Sequence, residues 1–130
     1  MLGVDGAKPG AETQGALMPR FVKRDANHAE IVDVLKKYGF SVYDAAHAGR
    51  DFPDLVVGCG GQTFLVEVKS SEKAPLTPGQ VVFAREWRGS AVVVLRSRAN
   101  AISWAVNTRH ELRRQSEAKA LAAVGTRMGG

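Results

Sequence analysis

The sequence predicts one α/β domain in the order α-β-β-β-α-β, a mixed β-sheet flanked by helices. Three observations carry this expectation. A helix-period apolar run over 25–38 stops at a glycine. Two strand-like runs flank Gly60–Gly61. A capped helix at 77–87 is followed by the nearly continuous apolar run "SAVVVLRS" at 90–97.

In the first helix, "DANHAEIVDVLKKY" (25–38), Ile31, Val34, Leu35 and Tyr38 recur at i, i+3, i+4 and i+7. Gly39 stands where a helix-ending C′ glycine belongs. "FSVYD" (40–44) alternates and is rich in β-branched and aromatic residues, so it reads as a strand. "AAHAGRDFP" (45–53) is a loop. "LVVG" and "TFLVEVK" are the second and third strands, joined at Gly60–Gly61, because Gly-Gly tolerates the positive φ of a tight hairpin turn. Thr77-Pro78-Gly79-Gln80 opens the second helix, with Thr as N-cap, Pro at N1 and Gln at N3. The run 90–97 reads as a strand buried on both faces. Residues 98–107 lean to a short helix, and 108–124 look helical but polar.

The chain of 130 residues suits one domain. We expect a domain at 25–107, a flexible basic segment at 1–24 and a basic helix or tail at 108–130. No apolar run reaches the roughly 20 residues a membrane helix needs. There is no apolar leader pattern, and the single Cys59 leaves no intrachain disulfide. A cytoplasmic setting fits this cysteine usage. The net charge of +5 is unevenly placed. Residues 1–24 carry four basic and two acidic side chains, 25–108 nine of each, and 109–130 five and two. Basic flanks on a neutral centre suit a polyanion such as nucleic acid, or serve as solubilising tails.

The hairpin organises the candidate chemistry. A two-residue turn at Gly60–Gly61 pairs residues whose numbers sum to 121, so Asp54 faces Glu67. Like charges directly opposed in a sheet repel unless something positive joins them. A divalent cation with oxygen ligands fits, since Mg²⁺ commonly uses one or two carboxylates with water and phosphate. Lys69 shares the Glu67 face by strand period, while Phe64, Val66 and Val68 form the core face. Acids, metal and ammonium together can hold a water and stabilise a developing oxyanion. The alternative is an ion cluster in which Lys69 neutralises both acids.

Two further residues have double readings. Glu30 lies at the edge of the buried helix stripe, within reach of a sheet end, but it also fits a capping box Asn27-His28-Ala29-Glu30. Gln80 either points into the site or closes the Thr77 cap. His28, His47 and His110 share no ligand spacing and read as surface or cap residues. Asp51 precedes the site and suits a supporting role. Trp87 and Trp104 read as core.

The pattern "E…(G)RDFPDLVVG…FLVEVKS…LTPGQ" resembles the PD-(D/E)XK nuclease superfamily and, within it, the VRR-NUC (virus-type replication-repair nuclease) group, stand-alone phage and bacterial type. Archaeal Holliday-junction resolvases are a more distant likeness. The resemblance covers about residues 25–97. It implies a restriction-endonuclease-like αβββαβ core. It also implies metal binding by Asp54, Glu67, the Val68 carbonyl and Glu30, a water-orienting Lys69, and a supporting Gln80. The sequence departs from the family at Phe52, where a glycine often stands before Pro-Asp.

The resemblance implies a Mg²⁺- or Mn²⁺-dependent endonuclease hydrolysing DNA phosphodiesters, at four-way or other branched junctions in replication or repair. Arg50, Lys73 and Arg85 are the expected phosphate contacts. A homodimer would place two active sites on a twofold axis. The rival readings are a non-catalytic DNA-binding module and a nuclease subunit that needs a helicase or replication partner.

Overall fold

The computed structural model describes residues 18–129. Its elements are α1 (Met18–Lys37), β1 (Ser41–Asp44), β2 (Leu55–Cys59), β3 (Gln62–Val68), α2 (Pro78–Glu86), β4 (Val93–Leu95) and α3 (Arg98–Gly129). The sheet order is β1-β2-β3-β4, antiparallel except for the parallel pair β3–β4. This is the mixed sheet flanked by helices that the sequence predicts.

α1 starts seven residues earlier than expected, so residues 18–24 belong to it; residues 1–17, read as mobile, lie outside the described residues. Asn27 is therefore inside the helix, and the capping-box reading of Asn27–Glu30 is corrected. α1 ends as its glycine predicts. Gly39 has φ +91°, Phe40 N–H donates to Leu35 O at 3.0 Å and Gly39 N–H to Lys36 O at 3.0 Å. These are the two bonds of a Schellman cap, which satisfy carbonyls the helix leaves open. Arg109 of α3 donates to Tyr38 O at 2.9 Å at the same corner.

The hairpin register follows the arithmetic. Cys59 pairs with Gln62, Val57 with Phe64 and Leu55 with Val66. Gly60 and Gly61 have φ +59° and +79°, the pair of positive values that a type I′ turn requires. Strand alternation then divides the residues of β3. Phe64, Val66 and Val68 pack with Leu55, Val57 and Leu95 against Ile31, Val34 and Leu35 of α1 and Ala101 and Ala105 of α3. Burying each Leu or Ile here contributes about 1.5–3 kcal/mol relative to exposure. The alternation turns Leu65, Glu67 and Lys69 to the other face, where α2 meets them.

Three expectations change. The run 90–97 forms only the three-residue β4 at a sheet edge; Leu95 is buried, but Val93 and Val94 are half-buried. Its apolar continuity reflects a βαβ crossover partner, not a central strand. The two segments 98–107 and 108–124 are one 32-residue helix, α3, unbroken at 107/108. Trp104 is core, 5.2 Å from the Phe40 ring and 5.3 Å from Phe64. Trp87 is not: it is 42% exposed, stacked on Phe83. No described helix is long and apolar enough to cross a membrane.

Candidate active site

A cleft of about 680 Å³ opens at the end of the hairpin away from its turn, and Asp54, Glu67, Val68, Lys69 and Gln80 are among its lining residues. The register that pairs Leu55 with Val66 brings Asp54 alongside Glu67. The hydrogen bond from Val68 N–H to Asp54 Oδ2, 2.9 Å, holds the Asp54 carboxylate there. Ala45 N–H donates to Asp54 O at 2.7 Å, tying the same residue to the loop after β1. Glu67 is 5% exposed, the one buried charged residue among those described.

Gln80 organises the other half of the cleft: it closes the Thr77 cap and also touches Lys69 and Glu67. Its Oε1 accepts from Thr77 N–H at 2.9 Å, while Thr77 Oγ1 accepts from Gln80 N–H at 3.2 Å, closing the capping box. The same Oε1 accepts from Lys69 Nζ at 2.7 Å, and Nε2 donates to Glu67 Oε2 at 2.8 Å. The amide orientation is dictated by chemistry: an ammonium only donates and an ionised carboxylate only accepts. Lys69 Nζ itself lies 3.9 Å from Glu67 Oε2. Among the described residues no ion pair joins Lys69 to Asp54. A cluster in which one ammonium neutralises both acids is therefore not what the structure contains.

α2 also fixes the loop that carries Arg50 and Asp51. The Phe52 ring meets Phe83 edge-on at 5.6 Å, and Phe83 stacks on Trp87 at 5.5 Å. The Asp51 carboxylate lies against Gly79, in the first turn of α2, so closely that a Cβ at 79 would collide with it. A carboxylate at a helix N-terminus is favourably placed, and a larger residue at 79 would have to displace it. Phe52 lines the cleft, so the residue where the sequence departs from its relatives forms a wall of the site.

The other expected residues divide. Arg50 lines the cleft; Lys73 is exposed between Ser71 and Ala74, which line it. Arg85 is exposed in the last turn of α2 and is not among the lining residues. Glu30 is exposed on α1 and also is not among them. Among the described residues no three His, Cys, Asp or Glu side chains form a ready metal cage. His47 and His110 are exposed. His28 Nε2 is buried without a hydrogen-bond partner and lies 3.6 Å from Asp44 Oδ2.

The family model of archaeal Holliday junction resolvases (Hjc) matches residues 23–126. The chain belongs to this resolvase family. A solved structure described as a VRR_NUC domain matches with a TM-score of 0.54 and 26% identity over 61% of this chain and 89% of that one. No curated protein matches. The family is thus the one the sequence suggested as the more distant likeness, and the fold is that of the nearer one. Both are nucleases, and the resolvase-family chain is a VRR-NUC-like nuclease.

Two residues of this resolvase-family site escaped the sequence reading. Asn27 Nδ2 donates to Lys69 O at 2.8 Å, pinning the end of β3 to α1. Only the true helix start, which has no Ser/Thr/Asp cap signal, could have moved Asn27 from a cap to this role. Arg96 reaches from the end of β4 to the Ser71 and Ala74 carbonyls. Within an apolar run it read as the strand's end.

Proposed function

We propose that this nuclease is a divalent-metal-dependent endonuclease that cuts branched DNA, four-way junctions foremost, in replication or repair. The observation that carries the reading is the charge arrangement of the cleft. Two carboxylates share one sheet face, and the ammonium beside them is engaged with Glu67 and Gln80. Asp54 receives a backbone N–H on one oxygen, and its Oδ1 has no partner among the described residues. Uncompensated charge at a half-buried position is costly, and a cation would offset it.

Hard oxygen donors suit Mg²⁺ or Mn²⁺, so the residues present fit such an ion. Asp54, Glu67 and the Val68 carbonyl would hold it, with Glu30 as an outer acid on α1. The ion would supply charge neutralisation at the phosphate and a more acidic water. Lys69 has three donors; Gln80 takes one, leaving two for an attacking water and a phosphate oxygen. Gln80 keeps the ammonium in place during attack, because its own amide is locked by the helix cap. Arg50 and Lys73 would bind flanking phosphates, with Arg85 farther out. Exposed Val81 and Val82 on α2 and Trp87 just past its end support a homodimer, which would set two such clefts on a twofold axis.

The test is cleavage of labelled four-way junction, flap, duplex and single-stranded DNA in Mg²⁺, Mn²⁺ or EDTA. Cleavage should need the metal, favour the junction, and fall at least about a thousandfold in Asp54→Asn and Lys69→Ala. Metal-independent cutting, or full activity in Asp54→Asn, would overturn the reading.

A further inference from the structure

Arg96 follows the last residue of β4, and Lys69 N–H donates to Leu95 O at 3.0 Å, so the two residues lie side by side one step past the parallel pair Val68–Leu95. Directly paired residues project from the same sheet face, so Arg96 and Lys69 share the face that carries the cleft. Its backbone is anchored: Arg96 N–H donates to Asn100 Oδ1 at 2.8 Å, and Asn100 N–H donates to Ser97 Oγ at 3.0 Å, the cap of α3. The guanidinium therefore starts from a rigid elbow.

It ends on a turn. Ala74 N–H donates to Ser71 O at 3.3 Å, closing a four-residue turn with Glu72 and Lys73 at its centre. Arg96 Nη1 donates to both ends of that turn, to Ser71 O at 3.3 Å and to Ala74 O. Ser71 and Ala74 line the cleft, and Lys73 is exposed between them. No carboxylate among the described residues lies within ion-pairing distance of Arg96. A half-buried arginine spent on two carbonyls of an exposed turn is an unusual use of charge.

We propose that Arg96 is a positioning residue for DNA binding: it holds the Ser71–Ala74 turn so that Lys73 stands at the cleft wall and meets a phosphate. A phosphate next to the turn finds the Lys73 ammonium already in place, and the Arg96 charge behind the two carbonyls strengthens the local positive field. Arg96 touches neither the reacting phosphate nor the acids. Its loss weakens substrate capture and leaves the chemical step intact.

This rests on the cleft being the cleavage site, so Asp54→Asn is run beside it. If Asp54→Asn still cuts, the underlying reading fails. If it does not, the Arg96 variants test the inference alone. Four-way junction DNA is the probe, with KM and kcat measured separately in Mg²⁺. Arg96→Gln should raise KM about tenfold, the scale of a lost charge-assisted contact, with kcat within about twofold. Lys73→Ala should do the same, and the double variant should add little, since both act through one turn. Arg96→Lys, which keeps charge but loses the planar fork, serves where Arg96→Gln does not fold, and should raise KM by a smaller factor. Unchanged KM in a folded Arg96 variant, a fall in kcat alone, or full additivity with Lys73→Ala would overturn the proposal.

Discussion

The two ends of the β2–β3 hairpin are built from the same register and do opposite things. At the turn end, Gly60 and Gly61 close the strands, Leu112 packs over Gly60, and Gln62 bonds Gln115 at 2.9 Å. Apart from Arg109, which donates to Cys59 Sγ at 3.8 Å, these contacts are neutral, and all are exposed or half-exposed. Five residue pairs away, the open end concentrates Asp54, Glu67 and Lys69 in a partly buried network with Gln80. The turn end is optimised for closure. At the open end two acids share one face, and Gln80 of the crossover helix α2 engages Glu67 and Lys69 there. Register alone makes both, because a face that is apolar along the strand can still end in acids.

The comparison also relocates the basic tail. α3 starts beside the cleft at Ser97 and runs to the turn end, where Leu112 and Gln115 touch the hairpin. Residues 116–129 continue about 21 Å farther at 1.5 Å per residue. Of the basic flank, Arg109, Arg113 and Arg114 stay at the turn end, and only Lys119 and Arg127, with Glu117, lie on the part that extends away from the candidate site.

The largest expected effect breaks the open end. Gln80→Leu strips partners from Glu67 and Lys69 and removes half the capping box. Junction cleavage should fall about a hundredfold, with stability lower by about 2 kcal/mol in urea unfolding. If activity holds while stability falls, the network is only structural. Glu30→Gln sharpens the same end: cleavage should drop less than in Asp54→Asn, measured at matched Mg²⁺. An equal loss would place Glu30 inside the metal site.

At the turn end, Gly60→Ala puts a Cβ at φ +59° and 3.3 Å from Leu112. It should cost about 1–2 kcal/mol of stability and leave kcat for junction cleavage unchanged. A loss of kcat would show that the two ends are coupled. Removing residues 116–130 should move the melting temperature by less than about 2 °C, since residues 116–125 are all exposed. The smallest effect is at Glu111. Hydrogen bonds from Arg114 and Gln115 hold its carboxyl below the ordinary value. A depressed folded value means its contribution is present above the ordinary carboxylate range and lost as pH falls through the folded value. Glu111→Gln should therefore differ from wild type slightly at neutral pH and not at all in strong acid, by circular dichroism melting.

How much could be read in advance depends on how local the cause was. The Gly39 cap, the Gly60–Gly61 turn and the Thr77–Gln80 box are written in neighbouring residues, so their geometry followed from spacing. The opposition of Asp54 and Glu67 also followed, because a two-residue turn propagates register without outside help. β4 misled because an apolar run signals burial without telling an edge strand from a central one. The α1 start and the unbroken α3 misled because polar stretches carry weak period signals when packing at one end extends a helix.

By itself, then, the sequence determined the element order, the hairpin register and the acids and lysine that register gathers, all through local backbone preference and strand period. Only the tertiary structure decided that Gln80 serves cap and site together, that Asn27 pins Lys69, and that Arg96 holds the Ser71–Ala74 turn. Those bonds span 11 to 42 residues. Their partners meet only because the core of α1, α3 and the sheet brings distant segments together, and nothing in the local sequence encodes that meeting.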